Sequence, residues 1–186
     1  MSGADADEVL MMRYRNGEMD AFDTLYGRYK GPLYRYFLRQ CAGQSVAEEL
    51  FQDVWMKLIG ARERYQVTAK FTTYLFHLAH NRLVDHYRRQ STGLPVSYQD
   101  CVDPDDLKAA STWDPQRQAA GHQQLNQLLV EIKALPEAQR EALLMREEGG
   151  LSVEEIAQIT GVTKETAKSR LRYAVSKLRQ AMLVPA

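Results

Sequence analysis

"LSVEEIAQITGVTKETAKSRLRYAVSKL", Leu151 to Leu178, contains two helix starts and one sharp turn. Ser152 with Glu155 three residues on makes a capping box: the hydroxyl takes the N3 amide and the carboxylate reaches back to the N-cap amide. Ile156, Ala157 and Ile159 follow at inward-facing spacing, and the small Ala157 lets a second helix approach closely. Gly161 permits the sharp turn, having no Cβ to oppose a positive φ, and Val162 is placed to plug the gap between the helices. Thr163 caps the second helix. Its apolar stripe is Ala167, Leu171, Ala174, Val175 and Leu178, and its other face carries Lys164, Glu165, Lys168, Ser169, Arg172 and Ser176. These are the mechanics of a helix-turn-helix. A helix that presents cations from its first turns suits the DNA major groove, where they meet phosphates and base acceptors.

The charge of the chain is segregated. Its 186 residues carry 24 basic and 24 acidic side chains, a formal net charge of zero. Yet Lys164 to Arg179 holds six basic residues against Glu165, Asp100 to Arg117 holds five Asp against Lys108 and Arg117, and Pro136 to Thr160 holds six Glu against Arg140 and Arg146. A local polyanion partner fits this better than a generally basic protein does. No apolar run approaches the roughly 20 residues that span a membrane, and the acidic N-terminus lacks the apolar stretch of a secretory signal. A cytoplasmic protein is expected. Cys41 and Cys101 are too few for a disulfide framework and sit in no metal-ligand pattern.

Nearly every periodic stretch is helical, and the length allows one domain or two small ones. Asn16-Gly17 is the sole hairpin-like dipeptide. Met19 to Cys41 reads as helix, with Gly31-Pro32 a candidate break. Ser45 and Glu48 form a second capping box, Leu50, Val54 and Leu58 a stripe, and Gly60 a stop. Gly60 to Lys70 reads as a loop. Phe71 to Gln90 is a long helix with Leu75, Leu78, Ala79, Leu83 and Tyr87 inward. Periodicity fails between Ser91 and Trp113, where Gly93, Pro95, Pro104 and an acidic cluster mark an interdomain linker. Asp114-Pro115 then starts a helix to Leu135, and Pro136 starts another. The expectation is an all-α chain of two domains, 1–90 and 114–186, joined by a flexible acidic linker, 91–113.

Phe71 to Arg89 interleaves aromatics with polar and basic groups, a composition that stacks on unpaired bases and follows phosphates. The loop before it is placed to fold over an extruded base. In order along the chain stand "DAFDTLYGRYKGPLYRYFLR" (20–39), "AEELFQDVWMKL" (47–58), "FTTYLFHLAHNRLVDHYRR" (71–89) and the stretch from Leu135 to Leu178. With these motifs the chain, from about Glu8 to Met182, resembles bacterial RNA polymerase sigma factors of the extracytoplasmic-function group (ECF, group IV). The resemblance implies a region 2 domain for polymerase docking and −10 melting, and a region 4 domain for the −35 element. It implies RNA polymerase core (β′ clamp helices and β flap), promoter DNA and a cognate anti-sigma factor as partners. Glu49, Gln52 and Asp53 match the face that meets the β′ clamp. Asn81 and the preceding loop with Tyr65 match the pocket for a flipped non-template base. Phe71, Tyr74, Arg82, Arg88 and Arg89 would face −10 DNA. Lys168 and Ser169 match −35 base-contacting positions, flanked by Lys164 and Arg172. Family members often carry Arg where this chain has Lys168, and a basic residue at Tyr173. Lys lacks the bidentate fork of Arg, so the family's −35 sequences do not transfer. The acidic linker, with Asp100, Asp103, Asp105 and Asp106, fits a connector through polymerase's RNA channel or a solvated tether.

No Gly-rich phosphate loop, metal cluster or nucleophile–base pair is recognisable, so no enzyme activity, catalytic residue, cofactor or metal is expected, nor a further regulatory domain after Ala186. Two alternatives remain at this level. A stand-alone helix-turn-helix regulator explains Ser152 to Leu178 but not Phe71 to Arg89. An enzyme with a DNA-binding tail, such as a nuclease, lacks its carboxylate cluster.

Overall fold

The computed structural model describes residues 5–92 and 115–183. They form eight α-helices in chain order: α1 (Asp7–Arg15), α2 (Met19–Gln40), α3 (Gln44–Ala61), α4 (Phe71–Ser91), α5 (Pro115–Ala134), α6 (Glu137–Gly149), α7 (Val153–Thr160) and α8 (Lys164–Leu183). The fold is all-α, and no strand occurs among the described residues. The linker expectation, with its aspartates, Cys101 and the Asp114 cap, lies outside the described residues.

The first four helices share a core because each offers one apolar face. Leu33, Tyr36 and Phe37 of α2, Leu50, Val54 and Leu58 of α3, and Phe71, Leu75 and Phe76 of α4 are fully buried. Phe22, Tyr26, Phe51 and Trp55 add a ring cluster, with Tyr26 and Trp55 edge-on at 5.0 Å. α1 was not expected, although Leu10, Met11 and Tyr14 bury at helical spacing. Asn16-Gly17 turns α1 into α2 rather than making a hairpin, with Gly17 at φ +102°.

Three local expectations are corrected. α2 runs through Gly31-Pro32 without a break. Gly31 has no Cβ to meet the proline ring, and buried residues on both sides keep the helix continuous through the missing hydrogen bond. α3 starts at Gln44 with no side-chain cap, and Gln44 instead reaches Glu48 at 2.9 Å, so the Ser45 capping box does not form. Gly60 does not stop α3, which continues to Ala61 and tightens into a 3₁₀ turn over Arg62–Arg64. The true loop is therefore only 65–70.

In the second half the expected capping box forms. Ser152 Oγ accepts from Glu155 N at 3.1 Å, and Glu155 returns to Ser152 N at 2.7 Å. Gly161 turns at φ +68°, and Thr163 Oγ1 accepts from Thr166 N at 3.2 Å. Ile156, Ala157, Ala167 and Ala174 are buried, and α8 packs against both α6 and α7. Val175 is 44% exposed, against expectation. It falls about 80° around the helix from Ala167, at the margin of the stripe.

The two halves touch through α2 against α6 and α4 against α7. Glu141 of α6 is buried and accepts from Tyr36 Oη at 2.9 Å, with His80 Nδ1 at 2.6 Å. Burial, then the Glu141 charge, pushes the Tyr36 hydroxyl well above its usual range. Glu148 sits between Arg35 and Arg39, and Arg140 donates to Gln40 Oε1 at 3.0 Å. Glu155 takes the Thr73 hydroxyl and Lys70, each at 3.2 Å. Gly149 lets α6 end against Phe76: a Cβ there would stand 3.1 Å from the ring. Three of the six glutamates in the acidic block thus meet the first half of the chain.

Candidate nucleic-acid interface

α8 presents its cations because its apolar side is committed. Ala167 and Ala174 are buried and Leu171 and Leu178 pack beside them, so Lys164, Lys168 and Arg172 lie outward at four-residue steps, about 6 Å apart along the axis. Lys168 and Arg172 are exposed and Ser169 is half-buried beside them. The Arg172 guanidinium lies 5.2 Å over the Tyr173 ring. Lys164 pairs with Glu154 of α7. That hydrogen bond pushes Lys164 up and holds Glu154 below the usual carboxylate range. The pair is open to solvent, so a phosphate could displace the carboxylate at small cost.

α4 sorts the residues expected at the second DNA-facing surface onto two sides. Tyr74, Asn81 and Arg88 stand seven residues apart and form one outward row, with Asn81 and Arg88 exposed and Tyr74 half-buried. Arg89 is exposed near the end of the helix. Phe71 and Arg82 face inward. Phe71 is fully buried with its ring 5.4 Å from Tyr29. Arg82 is 8% exposed, its Nε 2.6 Å from Asp53 and its Nη2 3.3 Å from Glu49. Eleven residues separate Phe71 from Arg82, so both lie within about 20° of each other on the core side. The expectation that these two touch DNA is corrected: neither side chain is free to do so in this arrangement.

Asp53 and Glu49 therefore do two things on α3. Their outer sides are open, with side-chain exposures of 43% and 66%, and Gln52 between them is exposed. Their inner oxygens brace Arg82. Asp53 and Arg82 line an open cleft of about 440 Å³ with Met56, Lys57, Asp85 and Arg89.

Tyr65 opens the short loop ahead of α4. Its ring meets Tyr74 edge-on at 5.1 Å, and the two line a cleft of about 270 Å³ with Ala61, Arg64, Gln66 and Thr68. Burial pushes the Tyr65 hydroxyl up to about 12, and that oxygen is buried with no hydrogen-bond partner among the described residues. Burial also raises Tyr74. Asn81 is not part of this cleft but lies two turns along α4 from Tyr74, about 10 Å up the axis. Cys41 is buried, its thiol pushed up to about 12 by burial, which keeps it unreactive.

The sequence reading missed Glu8 and Arg15, which reach this loop from α1. Arg15 Nη1 donates to Tyr65 O at 2.9 Å and Glu8 Oε1 accepts from Phe71 N at 2.7 Å. Among the described residues no helix is long and apolar enough to cross a membrane.

Comparison with known proteins agrees with this layout. The model for sigma-70 region 2 matches residues 25–92, and that for sigma-70, region 4 matches residues 125–178. The RNA polymerase sigma factor CarQ of Myxococcus xanthus is 29% identical, over 92% of this chain and 95% of its own length. The ECF RNA polymerase sigma-E factor of Escherichia coli K12 is 26% identical, over 92% and 91%. Among solved structures, CnrH in complex with the cytosolic domain of CnrY has a TM-score of 0.67 at 19% identity, covering 95% of this chain and 96% of its own. The sigma factor RpoE in complex with the anti-sigma factor NepR from Bartonella quintana also scores 0.67, at 20% identity, covering 89% and 98%. Both share the fold.

Proposed function

The chain belongs to the sigma-70 factors of the extracytoplasmic-function group, and on that premise we propose that it binds RNA polymerase core and directs initiation by reading −35 duplex and opening the −10 element. The observation that carries this is the pairing of two surfaces in one chain. One is the outward row Tyr74, Asn81 and Arg88 beside the Tyr65 cleft, and the other is the Lys164, Lys168 and Arg172 row.

The roles rest on the resemblance, and the exposure of these residues fits them. Glu49, Gln52 and Asp53 offer acidic and amide groups to the β′ clamp helices. Region 4 meets the β flap while Lys168 and Ser169 read base edges, and Lys164 and Arg172 hold phosphate. Tyr74 and Asn81 receive bases released by melting, with the buried Tyr65 as the wall behind Tyr74, and Arg88 and Arg89 follow the backbone. Phe71 and Arg82 support α4 from behind. A cognate anti-sigma factor is the expected antagonist, as NepR is for RpoE by name.

Reading both elements at once requires the halves to part. Elements named for positions −35 and −10 lie about 25 base pairs apart, roughly 85 Å at 3.4 Å per pair. A compact 186-residue chain has a radius of gyration of about 16 Å, hence a diameter of about 40 Å. The contacts of Glu141, Glu148 and Glu155 with the first half belong to the free protein and must break on the promoter.

The test is transcription by reconstituted holoenzyme from a promoter library, with permanganate footprinting of the −10 region. Selective, footprinted opening that needs both core and this chain is the expected result. Tight, specific duplex binding by the free chain, with no effect on core, would establish the stand-alone regulator instead.

A further inference from the structure

We propose that α1 is a positioning element for −10 specificity: Glu8 and Arg15 pin the two ends of the 65–70 loop and thereby set the shape of the Tyr65–Tyr74 cleft. The proposal rests on the −10 reading of that cleft. Glu8 and Arg15 stand seven residues apart, so they share one face of α1 across about 10 Å.

Arg15 takes the carbonyl of Tyr65, the first loop residue. Glu8 takes the N–H of Phe71, the first residue of α4, at a helix start where Lys70 supplies no side-chain cap. A carboxylate there satisfies an orphan amide and complements the positive end of the helix. A third tie lies just upstream, where the Arg62 guanidinium sits 5.4 Å over the Tyr14 ring. Between the ties the chain folds on itself, Thr68 N donating to Gln66 O at 3.0 Å.

Gln66, Val67 and Thr68 are exposed, so the loop's course is decided at its ends. Lys70 also meets Glu155 of the second half at 3.2 Å, a tie that is lost when the halves part, whereas those to Glu8 and Arg15 stay within the first half. The Tyr65 ring is 4% exposed and its hydroxyl finds no partner among the described residues. A buried, unpaired hydroxyl favours rearrangement, and the Arg15 bond to the same residue's carbonyl opposes it. Loss of Arg15 frees Tyr65 to turn its hydroxyl toward solvent, which changes the cleft wall that a base would meet. Glu8 and Arg15 touch no base themselves. They act through Tyr65 and the start of α4.

The experiment uses full-length protein in holoenzyme on a promoter library randomised at both elements. Arg15→Ala and Glu8→Gln are compared with wild type, and Arg15→Lys serves as the conservative variant that restores a cationic donor. The expected result is a fivefold to tenfold loss of discrimination at one or two −10 positions, about the low end of what one lost base contact costs. The −35 preference and core affinity stay at wild-type values, and Arg15→Lys recovers part of the −10 preference. A uniform loss over all promoters would mean that α1 only supports the fold, and overturns the proposal. An unchanged −10 profile in both variants overturns it as well. Wild-type holoenzyme with no −10 preference would sink the reading of the cleft, and the proposal with it.

Discussion

Glu148 is the best place to ask what holds the two halves together. Its side chain is 7% exposed and lies between Arg35, 48% exposed, and Arg39, 23% exposed. A charge-assisted hydrogen bond in a buried setting contributes about 1.5–3 kcal/mol, and an exposed ion pair about 0.2–1 kcal/mol. The Arg39 contact belongs near the bottom of the first range and the Arg35 contact in the middle of the second. Glu148→Ala should therefore cost the closed arrangement about 2 kcal/mol, roughly a thirtyfold rise in the opening constant. Thr73 reads that constant, since it is 5% exposed beneath α7. With both native cysteines replaced, a Thr73→Cys probe is labelled only when the halves part, so its labelling rate scales with the opening constant. The rate should rise about thirtyfold with Glu148→Ala, and not with Glu147→Ala, whose side chain is exposed beside it. A Val54→Cys probe in the core of the first half should show no change. An unaltered Thr73→Cys rate would refute the clasp. An equal rise at Val54→Cys would show general loosening instead.

Gln52→Lys should weaken binding to polymerase core without altering stability, because Gln52 is exposed between two braced acids; unaltered core affinity removes this face of α3 from the docking surface. Asp53→Lys should do more, lowering thermal stability as well by about 1 kcal/mol, since Arg82 loses its 2.6 Å partner. Lys168→Ala should cost about 1–3 kcal/mol on good promoters and relax one −35 position, whereas Lys177→Ala should weaken all promoters alike and flatten the salt dependence; a −35 profile unmoved by Lys168→Ala means α8 docks by another face. Glu155 supplies a pH dependence. Burial raises it, but the Ser152 amide and hydroxyl and Lys70 outweigh burial and leave it below its usual 4.5. A carboxylate depressed in the folded state adds stability that is present above the unfolded value and fades as pH falls through the folded one. The stability gap between wild type and Glu155→Gln, from urea titrations, should be full at pH 6 and shrink as pH falls below the usual 4.5; a gap that widens on acidification contradicts the assignment.

What could be read from the sequence was what is local. The capping box, Gly161 turn and apolar stripe of α7 and α8 depend on residues three to eight apart, and they form as read apart from Val175 at the edge of the stripe. The inward placement of Phe71 and Arg82 was equally local and went unread. At about 100° per residue, Arg82 falls between Leu75 and Leu78 on the buried stripe, so angle alone marks it as a residue needing a carboxylate beneath it. Residue type pulled the other way, since Arg in an aromatic-rich helix suggests phosphate. α1 was missed for a different reason. Nine residues give one short stripe, and much of what holds it comes from afar: Arg28 and Tyr29 meet Asp7, Phe71 meets Glu8, and Tyr65 meets Arg15. Charge sums failed in a way that explains the fold. A block of six glutamates between Pro136 and Thr160 must find cations somewhere, but a sum along the chain cannot tell a partner molecule from a helix a hundred residues earlier. Glu148 and Glu155 find theirs in Arg35 and Arg39 of α2 and in Lys70, and Glu141 is met by the Tyr36 hydroxyl and the His80 ring. Among the described residues the basic block on α8 is met less fully: Lys164 meets Glu154 at the surface, while Lys168 and Arg172 remain exposed. Among the described residues, half of the acidic block is met by the first half of the chain, whereas Lys168 and Arg172 of the basic block stay open, as a polyanion partner requires.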